Sequence, residues 1–219
     1  MKKLIIFGIG EQAEMAYYYF KNDSNYEIEG FTVDKNYINQ ETLFDLPIIG
    51  FETIEKSYSN DIYELFIAIG YNKINKIRTE KYLACKEKGY KIASYISSKA
   101  SVFTQDIGDN AFILEDNTIQ PYVKIGNNVT LWSGNHIGHH SIITDNCFIT
   151  SQVVVSGGCT IGENTFIGVN ATLRDHITIG KSNVIGAGAL ILTDTENNKV
   201  YMESTTEVSR VPSNRLRGI

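Results

Sequence analysis

From Ile107 onward a branched aliphatic side chain returns at every sixth position, through Ile113, Ile119, Ile125, Leu131, Ile137, Ile143, Ile149, Val155, Ile161, Ile167, Leu173, Ile179 and Ile185 to Ile191, with no break in register. No single element has this period, since an α-helix repeats at about 3.6 residues and a strand at about 2. A short strand followed by a corner accounts for it. Four residues after each aliphatic the side chain is usually small or compact, as at Ala111, Val123, Val129, Ser141, Cys147, Val153, Cys159, Thr165, Ala171 and Ala189. Glycine often follows the aliphatic directly, as in "IGDN", "IGNN", "IGHH" and "IGEN". The aliphatic then points inward from a flat face and the compact residue fills the corner beside it. Glycine supplies backbone angles that other residues resist. Three faces close one coil of a prism, about 18 residues, and stacked coils bury a continuous aliphatic column. Cys147 and Cys159 fall on interior positions and read as packing residues.

The segment before the repeat has a different rhythm. "KLIIFGIG" reads as a buried strand, "EQAEMAYYYFKN" as a helix and "YEIEGFTVD" as a second strand. "LPIIGFETI", "DIYELFIAIG", a helix over "NKINKIRTEKYLACKEKG" and "YKIASYI" follow. Alternation of strand and helix implies a parallel sheet. The 219 residues thus divide into a small Rossmann-like α/β domain over 1–96, a parallel β-prism over 97–193 and a terminal hairpin or loop with a basic tail over 194–219. A formal net charge of −5 supplies no basic stripe for a nucleic acid. Three cysteines without metal-type spacing suit a reducing compartment. "MKKLIIFGIG" imitates a signal peptide, yet its apolar run is short and passes into acidic "EQAE", so a first strand is the better reading. Nothing is long enough to span a membrane, and a cytoplasmic protein is expected.

Two groups of residues carry candidate chemistry. "FGIGEQA" follows a strand and opens a helix, placing Gly8, Gly10 and Ala13 in a G-x-G-x-x-A turn with Asp34 at the end of the next strand. Such a turn lets backbone N–H groups approach a phosphate while the distal carboxylate accepts from a ribose. Gly70, Asn72 and Lys73 in "IAIGYNK" close the same sheet edge. The domain is too small for a dinucleotide, so a nucleotide or a sugar carried on one fits better. The second group is "LWSGNHIGHHSIITDN", with His136, His139 and His140. Clustered imidazoles allow a metal site, a general base or a solvated turn. Coil arithmetic places His139 and His140 at a corner, Gly157 and Gly158 one coil on, and Asp175 and His176 one coil further. The glycine pair opens a groove beside His139.

Together, the prism, the α/β domain with "FGIGEQA" and "IAIGYNK", and the corner "HHSIITDNCFITSQVVVSGGCTIGENTFIG" resemble the bacterial nucleotide-sugar N-acetyltransferases of the hexapeptide-repeat left-handed β-helix superfamily. These act on amino-sugars of the perosamine, viosamine or bacillosamine type, and the sialic acid O-acetyltransferases share their layout. The resemblance covers all but the tail. It implies an acetyl-CoA-dependent homotrimer that serves surface-glycan assembly without a metal. It also implies His139 as general base, with the Gly157 N–H facing the thioester carbonyl. Acetyl-CoA is expected against Gly157, Gly158, Gly186 and Ala187, and the nucleotide-activated amino-sugar at Gly8, Gly10, Asp34, Gly70, Asn72 and Lys73. Two positions depart from the family. His140 stands where many members carry an acid that orients the base, and Phe148 where some carry a second histidine. Sugar O-acetylation, a three-histidine zinc site of the β-helical carbonic anhydrase kind and a non-enzymatic trimeric scaffold are the alternatives.

Overall fold

The structure, a computed structural model, describes residues 2–202 and 208–215. The first domain is a sheet of β1 (Lys2–Phe7), β2 (Tyr26–Val33), β3 (Thr42–Leu43), β4 (Leu46–Gly50), β5 (Tyr63–Ile67) and β6 (Lys91–Ile92), in the order β3-β4-β2-β1-β5-β6. All pairs are parallel except β3 with β4. β1 is apolar on both faces because helices cover both. α1 (Glu11–Asn22) buries Ala13, Ala16 and Phe20 on one side, and α2 (Lys76–Glu87) buries Tyr82 and Cys85 on the other. Strand order reverses between β1 and β5, so the sheet opens a crevice at their carboxyl ends. Gly8 is required there. Its φ is +132° and a Cβ would stand 2.6 Å from the Ala68 carbonyl oxygen.

α2 starts later than the expected "NKINKI" because Lys73, Ile74 and Asn75 take left-handed angles, with φ of 53°, 54° and 64°. That turn is held from outside. The buried Asn75 side chain donates to the Asn164 carbonyl at 3.1 Å, a residue of the second domain.

From Tyr95 to Tyr201 the chain winds a left-handed parallel β-helix of two-residue strands on three faces. Face I contains Phe112–Ile113, Thr130–Leu131, Phe148–Ile149, Phe166–Ile167 and Val184–Ile185. Face II contains Thr118–Ile119, His136–Ile137, Val154–Val155, Thr172–Leu173 and Leu190–Ile191, and face III the strands from Lys124–Ile125 to Thr178–Ile179. Partners are offset by 18 residues, as in Thr130↔Phe148. Every aliphatic of the six-residue series from Ile113 to Ile191 is buried in one column, with Ile107 packed against its end. Two boundaries differ from expectation. Tyr95–Ile96 already pairs with face I, and Val200–Tyr201 adds a further parallel rung there in place of a hairpin. The rest of the expected tail lies partly outside the described residues.

The glycines after the aliphatics serve a purpose other than the expected one. Gly126, Gly138, Gly162 and Gly168 do not take left-handed angles. A Cβ at each would lie 2.5–2.8 Å from a backbone nitrogen of the next coil, so they permit close stacking. The left-handed corner angle falls two residues later, largely on side-chain-bearing residues such as Asn128, His140, Asn146, Asn164 and His176. Asparagine tolerates that angle. On the edge between faces III and I it also forms a ladder, Asn110 Nδ2 to Asn128 Oδ1 at 2.7 Å and Asn128 Nδ2 to Asn146 Oδ1 at 2.8 Å.

The domains are joined by a shared core. Phe112, Leu114 and Tyr95 of the β-helix pack with Phe20, Phe31 and Phe66, and the Tyr71 ring lies 5.1 Å from Phe148 and 4.6 Å from Phe166. Arg78 of α2 is fully buried, and its Nη2 donates to the carbonyls of Asn128, Asn146 and Cys147 at 2.8–3.2 Å. Burial without a counter-charge pulls its guanidinium down to about 10. This docking sets the "IAIGYNK" turn against face I.

Candidate active site

The first centre is the edge between faces II and III, where Tyr122, His140, Gly158 and His176 occupy successive left-handed corners with φ of 66°, 59°, 71° and 57°. His139 and His140 are both exposed. The His139 ring lies over Gly157. A Cβ on that glycine would stand 2.7 Å from Cε1 and 2.8 Å from Nε2. From the opposite side the His176 ring leans over Gly158, where a Cβ would stand 2.8 Å from its Cδ2. The glycine pair therefore seats two imidazoles against the corner backbone. The Gly157 N–H has no hydrogen-bond partner among the described residues, whereas the next N–H, of Gly158, donates to the His139 carbonyl at 2.8 Å. The His139 ring and an amide without a partner thus meet at Gly157, and these are the kinds of group that acyl transfer requires as base and oxyanion donor.

His139 is held by its neighbours. Its backbone N–H donates to Gln120 Oε1 at 2.8 Å, and its Nδ1 lies 3.1 Å from His140 Nδ1. His140 stacks on Tyr122, with ring centroids 4.7 Å apart. Asp175 Oδ2 lies 3.0 Å from His176 Nδ1, and the hydrogen bond to that imidazole holds the Asp175 carboxyl below its usual range. His136 faces outward from face II, half-buried between Thr118 and Val154. Among the described residues no group of three His, Cys, Asp or Glu side chains is arranged to hold a metal ion.

The second centre lies between the domains. A cavity of about 680 Å³ is lined by Glu11, Gln12 and Glu14 from the first turn of α1, by Gly70 and Tyr71, and by Trp132, Phe148, Ser151 and Val169 of the β-helix. Gln12 Oε1 and Trp132 Nε1 are buried without a partner among the described residues. Tyr71, Trp132 and Phe148 give this cavity an aromatic wall that suits a ring-shaped ligand. The carboxylates of Glu11 and Glu14 favour a cation near the helix end.

The expected acceptor residues are distributed around this cavity unevenly. Gly70 lines it, while Asn72 and Lys73 sit exposed on the adjoining turn and Gly10 caps α1 beside Glu11. Gly8 is buried, and Asp34 forms an ion pair with Lys81 at 2.6 Å. Gly186 and Ala187 lie at the edge between faces I and II, whereas Gly157 and Gly158 lie on the histidine edge, so the four expected acetyl-CoA contacts occupy two different edges of the prism. Sequence reasoning missed Gln12, Tyr71 and Trp132. Gln12 and Tyr71 lie inside "FGIGEQA" and "IAIGYNK", and the signal for Trp132 was that the chain's single tryptophan directly follows an interior leucine, where its side chain must face outward. Another concavity, of about 650 Å³, runs along face III beside Lys124 and Lys181, and none of the expected site residues lines it.

Residues 3–82 match the PglD N-terminal domain, and residues 122–157 and 158–193 match the bacterial transferase hexapeptide (six repeats). The chain joins a PglD N-terminal domain to bacterial transferase hexapeptide repeats. Solved structures repeat this layout. A mutant of perosamine N-acetyltransferase from Caulobacter crescentus, in complex with CoA and GDP-perosamine, gives a TM-score of 0.81 at 18% identity over 93% of this chain and 94% of that one. The acetyltransferase domain of PglB from Neisseria gonorrhoeae FA1090 gives 0.78 at 23% identity over 93% and 97%. WeeI from Acinetobacter baumannii AYE gives 0.69 at 16% identity over 91% and 96%. At these identities the likeness establishes the fold. No curated protein sequence matches the chain significantly.

Proposed function

We propose that the protein is an acetyl-CoA-dependent N-acetyltransferase. Its acceptor is the amino group of a nucleotide-linked 4-amino or 3-amino deoxysugar destined for surface glycan, and it works in the cytoplasm as a homotrimer. The observation that carries this reading is the His139 ring over Gly157 beside a free Gly157 N–H. The PglD N-terminal domain and the nucleotide-sugar complex of the similar Caulobacter enzyme support the acceptor class.

Acetyl-CoA supplies an acetyl group already activated as a thioester. His139 takes a proton at Nε2 from the attacking amine, and the Gly157 N–H donates to the carbonyl oxygen where negative charge develops. CoA leaves as its thiolate. The missing side chains at 157 and 158 let the two imidazoles sit close against the corner backbone, and a thin pantetheine arm would lie along that edge. Glu11 and Glu14 favour an ammonium-bearing sugar over an acidic one, which weighs against a sialic acid acceptor.

Completion of the site calls for a second copy. The acceptor cavity reaches Ser151 and Val169 on the edge between faces I and II, while His139 stands one face away. Apposition of the histidine edge of one subunit with the cavity edge of the next unites base, amine and Gly186–Ala187, and cyclic three-fold association achieves this for every subunit. The test pairs light scattering with kinetics. A trimer mass and a loss of turnover in His139→Ala by about two to four orders of magnitude are expected. A monomer at micromolar concentration would overturn the shared site. Near-native turnover in His139→Ala would overturn the base.

A further inference from the structure

We infer that His140 is the positioning partner of His139, a neutral imidazole that fixes the tautomer of the base. The inference rests on the general-base reading of His139. Their Nδ1 atoms lie 3.1 Å apart, so one proton lies between them and one ring must accept. If His140 donated, His139 would carry its own proton on Nε2 and present no lone pair over Gly157. If His139 donates through Nδ1–H, its Nε2 lone pair faces Gly157, and His140 is held as the Nε2–H tautomer. Only the second arrangement yields a base at Gly157.

His140 is itself fixed. Its backbone N–H donates to the Pro121 carbonyl at 3.3 Å, and its ring stacks on Tyr122 at an interplanar angle of 32°. It occupies a left-handed corner at φ 59°, a conformation a bulky side chain adopts at a cost. The groups facing the pair are Gln120, Pro121 and Tyr122 from the preceding coil, Gly157 and Gly158 from the next, and beyond them His176 with Asp175. Among the described residues neither ring is in an ion pair. When His139 takes the amine proton at Nε2, its Nδ1–H stays donated to His140, so the imidazolium keeps its orientation without a counter-charge.

The experiment compares His140→Ala, His140→Asp and His139→Ala by full pH–rate profiles, with thermal unfolding as a check that each is folded. Aspartate tolerates the left-handed corner and supplies a charged acceptor. His140→Ala is expected to lower kcat about ten- to a hundredfold with both KM values within about twofold, a pattern that lost packing alone does not give. His140→Asp is expected to recover most of kcat and to move the acid limb of its profile upward by about one pH unit or more, because a carboxylate favours the imidazolium. An unshifted limb in His140→Asp, or kcat within about twofold of wild type in His140→Ala, would overturn the positioning role. Activity surviving in His139→Ala would instead strike the general-base reading, so the two failures are distinguishable. A His140→Ala loss as deep as that of His139→Ala, without rescue by aspartate, would make His140 the base and overturn the assignment.

Discussion

Gly157→Ala is the smallest change that reaches the proposed reaction geometry. The added methyl would stand 2.7 Å from His139 Cε1 and 2.8 Å from Nε2, where an ordinary contact is 3.4 Å or more. The ring must therefore retreat by at least about 0.6–0.7 Å, a distance comparable to the whole window of about 2.6–3.2 Å within which a base can take a proton. A misplacement near 1 Å costs roughly a hundredfold in well-oriented catalysis. We expect kcat to fall about 30- to 100-fold, equivalent to about 2–3 kcal/mol. Folding should hardly change. Gly157 is not among the residues with left-handed φ, the displaced ring is exposed and can swing outward, and replacing glycine by alanine restricts the unfolded chain. Gly158→Ala supplies the contrast. Its φ of +71° and the His176 ring 2.8 Å from the added methyl predict a stability loss of about 1–2 kcal/mol, with a smaller effect on kcat. Thiol release from acetyl-CoA with a saturating amino-sugar nucleotide measures the rate, and thermal unfolding measures the fold. Gly157→Ala with kcat within about threefold of wild type would refute the geometry.

Trp132→Ala, which removes an aromatic wall from the inter-domain cavity, should raise KM for the amino-sugar about tenfold and leave KM for acetyl-CoA within twofold. Asp34→Asn, whose carboxylate is already paired with Lys81, should raise acceptor KM less, and steady-state kinetics on both substrates checks the order. Arg78→Met strips the buried carbonyls of Asn128 and Asn146 of their donor, while that of Cys147 keeps the Thr130 N–H, and should cost about 2–3 kcal/mol in denaturant unfolding. Hydrogen bonding from the Ser98 side chain, then from the Ser98 N–H and Tyr95 Oη, holds the Asp23 carboxyl below the usual range. Its contribution is therefore present above about pH 4 and lost as the pH falls further. The stability gap between wild type and Asp23→Asn should stay constant near neutrality and narrow in acid unfolding titrations.

The β-helix was legible because its determinants are local and repeated. A buried column at every sixth residue needs no knowledge of distant contacts, and the same count correctly stacked His139 below Gly157. Conformation at the corners was less legible. Glycine after each aliphatic suggested special angles, whereas its role is close coil stacking, and the left-handed angle fell on residues such as Tyr122 and His140 that the sequence does not mark as turn formers. Least legible was whatever arises from docking of the domains. Nothing in "NKINKIRTEKYLACKEKG" marks Arg78 as buried, and only the packing of α2 against the asparagine edge buries it. Gln12 and Tyr71 lie within the two motifs expected at one sheet edge, but Trp132 belongs to neither, and the cavity exists only once face I meets the first turn of α1.

The central claim is amide formation on an amino-sugar with His139 as base. Its most direct test is incubation of the wild-type protein with acetyl-CoA and a panel of nucleotide-linked amino-sugars, reading thiol release and the mass and bond type of the product. The account predicts one N-acetyl group added per thiol released, and loss of both signals in His139→Ala. Thiol release without an N-acetylated sugar, an ester in place of an amide, or undiminished product from His139→Ala would contradict it.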